Sequence, residues 1–191
     1  MITLKILSGS SRPGRFNDQP VAFVAEVAKI LPNVAVEVVD LATLNLPFLD
    51  EATPPMMHGY THEHTKAWSA AVAAADAFIM VTPEYNHSYS PVLKNAIDYL
   101  FTEWNYKPVG FVSYGSLAGG ARAVEHLRGV AGELKMYDIR EQVLLPNYWE
   151  HLSTEGRYQF SDRHHESVTE LVQELIFWGE MMKEARAKRI M

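Results

Sequence analysis

The sequence predicts an α/β protein in which a parallel sheet is sandwiched between helices. Strand-like and helix-like segments alternate about five times at short spacing. The strand candidates are nearly continuous apolar runs, as expected of strands covered on both faces. No linker-like segment interrupts the alternation, so the 191 residues are expected to form one domain.

The first strand candidate is TLKIL (Thr3–Leu7), and it runs into the loop SGSSRPGRFN. Val21, Val24, Ala25, Ala28 and Leu31 then recur at helical spacing until Pro32 stops the helix. VAVEVVDL (34–41) is the second strand, followed by a polar, proline-containing stretch to about Thr61. Trp68, Ala71, Val72 and Ala75 mark the next helix, and AFIMVT (77–82) the third strand. Ser90 and Pro91 pair as N-cap and first-turn residue, starting a helix that runs to about Phe101. VGFVSY (109–114) is the fourth strand, and a helix carrying Val124, Leu127, Ala131 and Leu134 follows it. IREQVLLP contains the fifth strand, and Val168, Leu171, Val172, Leu175 and Met182 line a long last helix.

Composition narrows the function. Cysteine is absent, which excludes disulfides, thiolate catalysis and Cys-ligated metals and suits a cytoplasmic home. A net charge of −6 argues against a general nucleic-acid surface. No apolar run approaches the roughly 20 residues that span a bilayer, and the start, MITLKILSGSSR, does not read as a signal peptide.

In parallel sheets of this kind, ligands bind outside the carboxyl ends of the strands. The loops leaving strands one, three and four at that edge are the most unusual in the chain. In GSSRPGRFN, glycines allow close approach, and Ser10, Ser11 and Asn17 offer donors. Arg12 and Arg15 offer charged forks, and a helix begins near Asn17 or Asp18. One phosphate uses all of these features together, which favours it over a capped turn with two solvated arginines. The loop is neither a P-loop nor a GxGxxG fingerprint.

The second loop, within TPEYNHSYSPVLKNAID, is longer than the 2–6 residues usual between strand and helix. Pro83 fixes one backbone angle. Glu84, Tyr85 and Asn86 are expected to present successive backbone amides to a planar heteroaromatic, with Tyr85 and Tyr89 flanking its face. The third loop, SYGSLAGGAR, places Ser113, Tyr114 and Gly115 beside the same edge; alone it reads as a capped turn.

Together GSSRPGRFN, TPEYNHSYSPVLKNAID and SYGSLAGGARAVEHLR resemble the NADPH-dependent FMN reductase family of flavin-dependent quinone, azo-dye and chromate reductases. The resemblance covers about the first three quarters of the chain. It implies a flavodoxin-like fold, with a five-stranded parallel sheet in the order 2-1-3-4-5 and helices on both faces. It also implies non-covalent FMN and NADPH, or NADH, as co-substrate. By that resemblance Ser10, Arg12 and Asn17 match the phosphate loop, and Pro83, Glu84, Tyr85 and Asn86, with Ser113, Tyr114 and Gly115, match the ring site. Many family members have Ser or Thr where this chain has Arg15. That arginine is expected either to grip the flavin phosphate or to face the open cleft and favour NADPH. Family members are typically dimers or pairs of dimers, so a homodimer or homotetramer is expected.

The expected function is hydride transfer from NAD(P)H through FMN to a quinone-like, azo or other small acceptor. No indispensable acid–base residue is expected, because the flavin carries the chemistry. A flavin-carrying electron-transfer or redox-sensing module is the competing reading. His58, His62 and His64 lie close in sequence, but they are expected to be solvated rather than metal-bound. Trp104, Tyr106, Tyr148 and Trp149 are expected either in the core or at a partner-subunit surface. No GxSxG elbow is present, so hydrolysis is not expected.

Overall fold

The strands assemble in the order β2-β1-β3-β4-β5, all parallel. They are β1 (Ile2–Ser8), β2 (Val34–Asp40), β3 (Ala77–Pro83), β4 (Pro108–Gly115) and β5 (Tyr137–Pro146). The computed structural model describes residues 1–188. Every residue of β3 is buried, and β4 is buried up to Gly115, as their apolar runs predict. The outer strands differ. β2 is half-buried to exposed along its length and β5 alternates, because an edge strand has only one neighbour and is less fully covered.

The helices are α1 (Asp18–Ile30), the single turn α2 (Leu41–Leu44), α3 (Glu63–Ala73), α4 (Pro91–Asp98), α5 (Ala121–Glu133) and α6 (Asp162–Lys188). The even positions of β1, Ile2, Leu4 and Ile6, pack with Val24 and Ala28 of α1 and Leu171, Val172 and Leu175 of α6. The other sheet face packs Leu7, Phe78, Met80 and Phe111 against Trp68, Leu93, Ile97, Val124 and Leu127 of α3, α4 and α5. Each Val, Leu, Ile, Phe or Met side chain so removed from water contributes about 1.5–3 kcal/mol. This alternation fixes the sheet's register, since a one-residue slip would exchange the two cores.

Several ends are held by side chains. Ser90 caps α4 as expected: its Oγ accepts the Leu93 N–H at 3.3 Å, Pro91 fills the first turn, and the hydroxyl donates to the Gly9 carbonyl. Asn17 does not cap α1. Its backbone is already helical, and its side-chain nitrogen donates to Ser8 Oγ at 2.8 Å instead. Lys107 donates to the Val72 and Ala73 carbonyls at 2.8 and 3.0 Å, closing the C-terminus of α3, and burial pushes its ammonium down to about 8. Trp104 is core rather than surface: it is fully buried on a 3-10 turn (Thr102–Trp104), and its Nε1 donates to the Ile97 carbonyl at 3.2 Å.

Candidate functional site

The carboxyl ends of β1, β3, β4 and β5 open onto one cleft of about 530 Å³, a size typical of ligand sites. Its walls come from the three expected loops and from a fourth segment after β5.

The first loop brings Ser10, Arg12, Gly14, Arg15 and Phe16 to the cleft. It leaves β1 at Gly9, whose N–H donates to the Val81 carbonyl at 2.8 Å; a Cβ there would lie 2.6 Å from that oxygen, so only glycine fits. Ser10 is buried and its Oγ accepts the Arg12 N–H at 3.4 Å. The Arg12 side chain is exposed and in no ion pair among the described residues. Asn17 is fully buried, with one amide end on Ser8 and Oδ1 without a partner among the described residues. Which end is nitrogen is a matter of how the amide is turned, so the free end can serve as donor or acceptor.

Arg15 lines the cleft, with its guanidinium held by carboxylates and a carbonyl. Its two terminal nitrogens grip Asp40 at 2.8 and 2.9 Å, and Nε reaches Asp18 at 2.7 Å. The fork also donates to the Ser10 carbonyl. The Arg15 hydrogen bond, outweighing desolvation, holds the Asp40 carboxyl below its ordinary 3.8.

The second loop is shaped differently from the expected row of free amides. The Glu84 N–H donates to the Tyr114 carbonyl at 2.9 Å, extending the β3–β4 ladder. Tyr85 and Ser88 exchange backbone hydrogen bonds at 2.7 and 3.0 Å around Asn86 and His87, which have φ of 50° and 67°. Two successive left-handed residues make a type I′-like hairpin turn, a conformation that Asn tolerates. Tyr85 consequently faces the cleft, whereas Asn86 sits exposed at the tip and outside the cleft lining. Tyr89 does not flank the cleft either; it packs into the α3–α5 core, where burial and the Asp98 charge push its hydroxyl up to about 12. Pro83 and Glu84 line the cleft. The Glu84 carboxylate accepts the Arg122 N–H at 3.3 Å and pairs with the Arg122 guanidinium, a side-chain role that the sequence alone did not indicate.

In the third loop, Tyr114, Gly115 and Ser116 reach the cleft. Ser113 lies beneath it, fully buried, with Oγ donating to the Gly119 carbonyl at 2.9 Å. Gly120 follows at φ 91°, and a Cβ there would lie 2.5 Å from that of Ser113, so the turn needs glycine on both counts. Burial raises the Tyr114 hydroxyl, against a lowering hydrogen bond with Ser10.

The fourth wall was not expected from the sequence. Phe16 stacks on Tyr148 at 4.1 Å and meets Tyr114 edge-on at 5.0 Å. Trp149, 49% exposed, stands on the rim with Leu152 and Gly156. Gln19 of α1 clamps this segment: Nε2 donates to the Gly156 carbonyl at 2.8 Å, and Oε1 accepts the Tyr158 N–H at 2.6 Å. Phe16 was the available signal, an aromatic in an otherwise polar loop. Among the described residues no cluster of metal-ligating groups occurs, and His62 and His64 face Asp50 instead.

A parallel sheet in this order, with a cleft over its strand ends joining an arginine-bearing loop to an aromatic wall, defines a flavodoxin-like α/β protein of the nucleotide-cofactor-binding class. Residues 2–150 match the family of NADPH-dependent FMN reductases, and the chain belongs to that family. It is 47% identical over 139 residues to an NAD(P)H-dependent FMN reductase of Schizosaccharomyces pombe, covering 71% of this chain and 69% of the relative. It is 32% identical over 139 residues to an NAD(P)H:quinone oxidoreductase of Solanum tuberosum, covering 71% and 70%. In fold it is similar to FerB, a flavoenzyme NAD(P)H:(acceptor) oxidoreductase from Paracoccus denitrificans, with TM-score 0.74 at 19% identity over 95% of this chain and 99% of that one. The chain is thus an oxidoreductase of a family that works with FMN and NAD(P)H.

Proposed function

We propose that the cleft holds FMN non-covalently and passes electrons from NAD(P)H to a quinone-like, azo or other small acceptor. The carrying observation is that one cleft joins an anion end to a ring end. At the anion end, Ser10 and Arg12, which is in no ion pair among the described residues, line the cleft just before α1, where backbone N–H groups favour negative charge. Asn17, buried outside the lining, has an amide end without a partner among the described residues. At the ring end, Pro83, Glu84, Tyr85, Tyr114 and Gly115 make the wall. Asn86 contributes by forming the turn that presents Tyr85, and Ser113 by fixing Gly119 beneath the wall. Arg15 belongs to the same loop as the anion end and ties it to Asp40.

FMN supplies the two-electron chemistry. The chain's own residues bind, orient and shield it, and none is assigned a proton transfer. Trp149 on the rim offers a flat apolar surface to a planar acceptor. Because one cleft serves reductant and acceptor, the first leaves before the second enters, a ping-pong order. The exposed Trp149, Phe48 and Met57 suit a homodimer or homotetramer, and the absence of cysteine suits a cytoplasmic protein.

Binding titrations test the site: FMN should bind at least tenfold more tightly than riboflavin, about 1.4 kcal/mol, and equal affinities would refute the anion end. Steady-state NADPH oxidation by the FMN-loaded protein with a quinone should give parallel double-reciprocal lines. FMN binding without turnover would instead make the chain an electron carrier. A monomeric mass by light scattering at micromolar concentration would refute the assembly.

A further inference from the structure

Arg15 is enclosed by acceptors from three elements. Asp40, the last residue of β2, takes both terminal nitrogens. Asp18, in the first turn of α1, takes Nε, and the Ser10 carbonyl takes Nη1 as well. Asp40 is fixed in turn, because it caps α2 by accepting the Ala42 N–H at 3.1 Å and the Thr43 hydroxyl at 2.9 Å.

Two consequences follow. Four of the five guanidinium N–H donors are taken, and a phosphate could pair bidentately with Arg15 only by displacing Asp40 or Asp18. The cluster's charges, one cation against Asp40 and Asp18, sum to −1, so Arg15 adds no net positive charge to the loop. What it adds is geometry. A trans peptide points its C=O and the following N–H in opposite directions. Holding the Ser10 carbonyl on Arg15 therefore fixes which way the Ser11 N–H faces and sets the shape of the loop.

We infer that Arg15 is a positioning residue that acts through Asp40, holding the first loop in its anion-binding shape without itself binding the flavin phosphate or the nicotinamide nucleotide. The inference rests on reading the cleft as an FMN site. It places the phosphate contact on Arg12 and the loop amides, and it makes Asp40, on a neighbouring strand, part of the machinery for cofactor affinity.

The test compares Arg15→Lys, Arg15→Ala, Asp40→Asn and the double variant Arg15→Ala/Asp40→Asn. Asp40→Asn retains a side-chain oxygen for the α2 cap and removes the charge. Lys at 15 retains charge and loses the fork. Amide hydrogen exchange over residues 9–17 is read without FMN, and affinities for FMN and riboflavin are read in high salt, where exposed charges are screened. Expected are faster exchange in all four variants, and FMN affinity lowered about tenfold in Arg15→Lys and in Asp40→Asn alike. The double variant should be no worse than Arg15→Ala, and riboflavin affinity should change less than FMN affinity in each. If Asp40→Asn binds FMN as tightly as the parent or more tightly, Arg15 was competing for the phosphate and the inference is overturned. It is overturned equally if Arg15→Lys matches the parent in both readouts. Equal binding of FMN and riboflavin by the parent protein is a separate failure, that of the FMN site itself.

Discussion

Two arginine–carboxylate pairs brace the cleft, and they are built the opposite way round. In Arg15–Asp40 the cation is enclosed and the acid more open, with side chains 13% and 30% exposed. In Arg122–Glu84 the acid is enclosed and the cation open, at 8% and 42%. A buried ion pair is costly to form, and removing one partner is costlier still when the one left behind is buried. The pairs therefore differ in which partner each can lose. Arg15 keeps Asp18 and the Ser10 carbonyl if Asp40 goes. Among the described residues, Glu84 keeps the Arg122 N–H alone, at 3.3 Å, if the guanidinium goes.

The largest expected effect follows directly. Arg122→Ala should destabilise the protein by about 3 kcal/mol, read by urea denaturation, while Glu84→Gln should cost about 1 kcal/mol. If the double variant Glu84→Gln/Arg122→Ala is no more stable than Arg122→Ala, the unpaired carboxylate is not the cause and the contrast between the pairs breaks. At the other pair the ranking reverses in kind: Arg15→Ala should cost roughly 1–2 kcal/mol and Asp40→Asn about 1 kcal/mol or less. An Asp40→Asn variant as unstable as Arg122→Ala would show that exposure does not set the cost.

The smallest effect is a pH slope. The Asp40 carboxyl is depressed below its ordinary 3.8, chiefly by the Arg15 hydrogen bond against desolvation. Its contribution to stability is then complete above that value and is lost as pH falls through the lower folded value. Asp40→Asn should flatten the acid limb of a stability–pH curve below pH 3.8 and leave the neutral region parallel to the parent; an unchanged acid limb would mean that Asp40 carries none of that slope.

What was legible in the sequence followed from local rules. β3 and β4 are continuous apolar runs because both faces are covered, and Ser90–Pro91 is a cap because the hydroxyl and the fixed φ suit a first turn. The loops were located correctly, but their interiors were not. Asn86–His87 makes a hairpin turn without the Asn-Gly signal that usually marks one. The roles of Arg15 and Glu84 depend on Asp40 and Arg122, which lie 25 and 38 positions away and are brought near only by the sheet. Trp104 read as a loop aromatic because a 3-10 turn carries no hydrophobic period, yet it lies at the centre of a core.

The clamp of Gln19 on Gly156 and Tyr158 spans 137 and 139 positions, and this orders events in time. A growing chain at about 5–20 residues per second makes Gln19 on the order of ten seconds before its partners exist. The sheet can grow outward from β1, since β2 and β3 add to it as each emerges and β4 and β5 extend one edge. Neither partner of this clamp exists until residue 156 is made, and the second only at residue 158. The cleft is therefore assembled from the floor upward, and full capture of a cofactor is a late event in the life of the nascent chain.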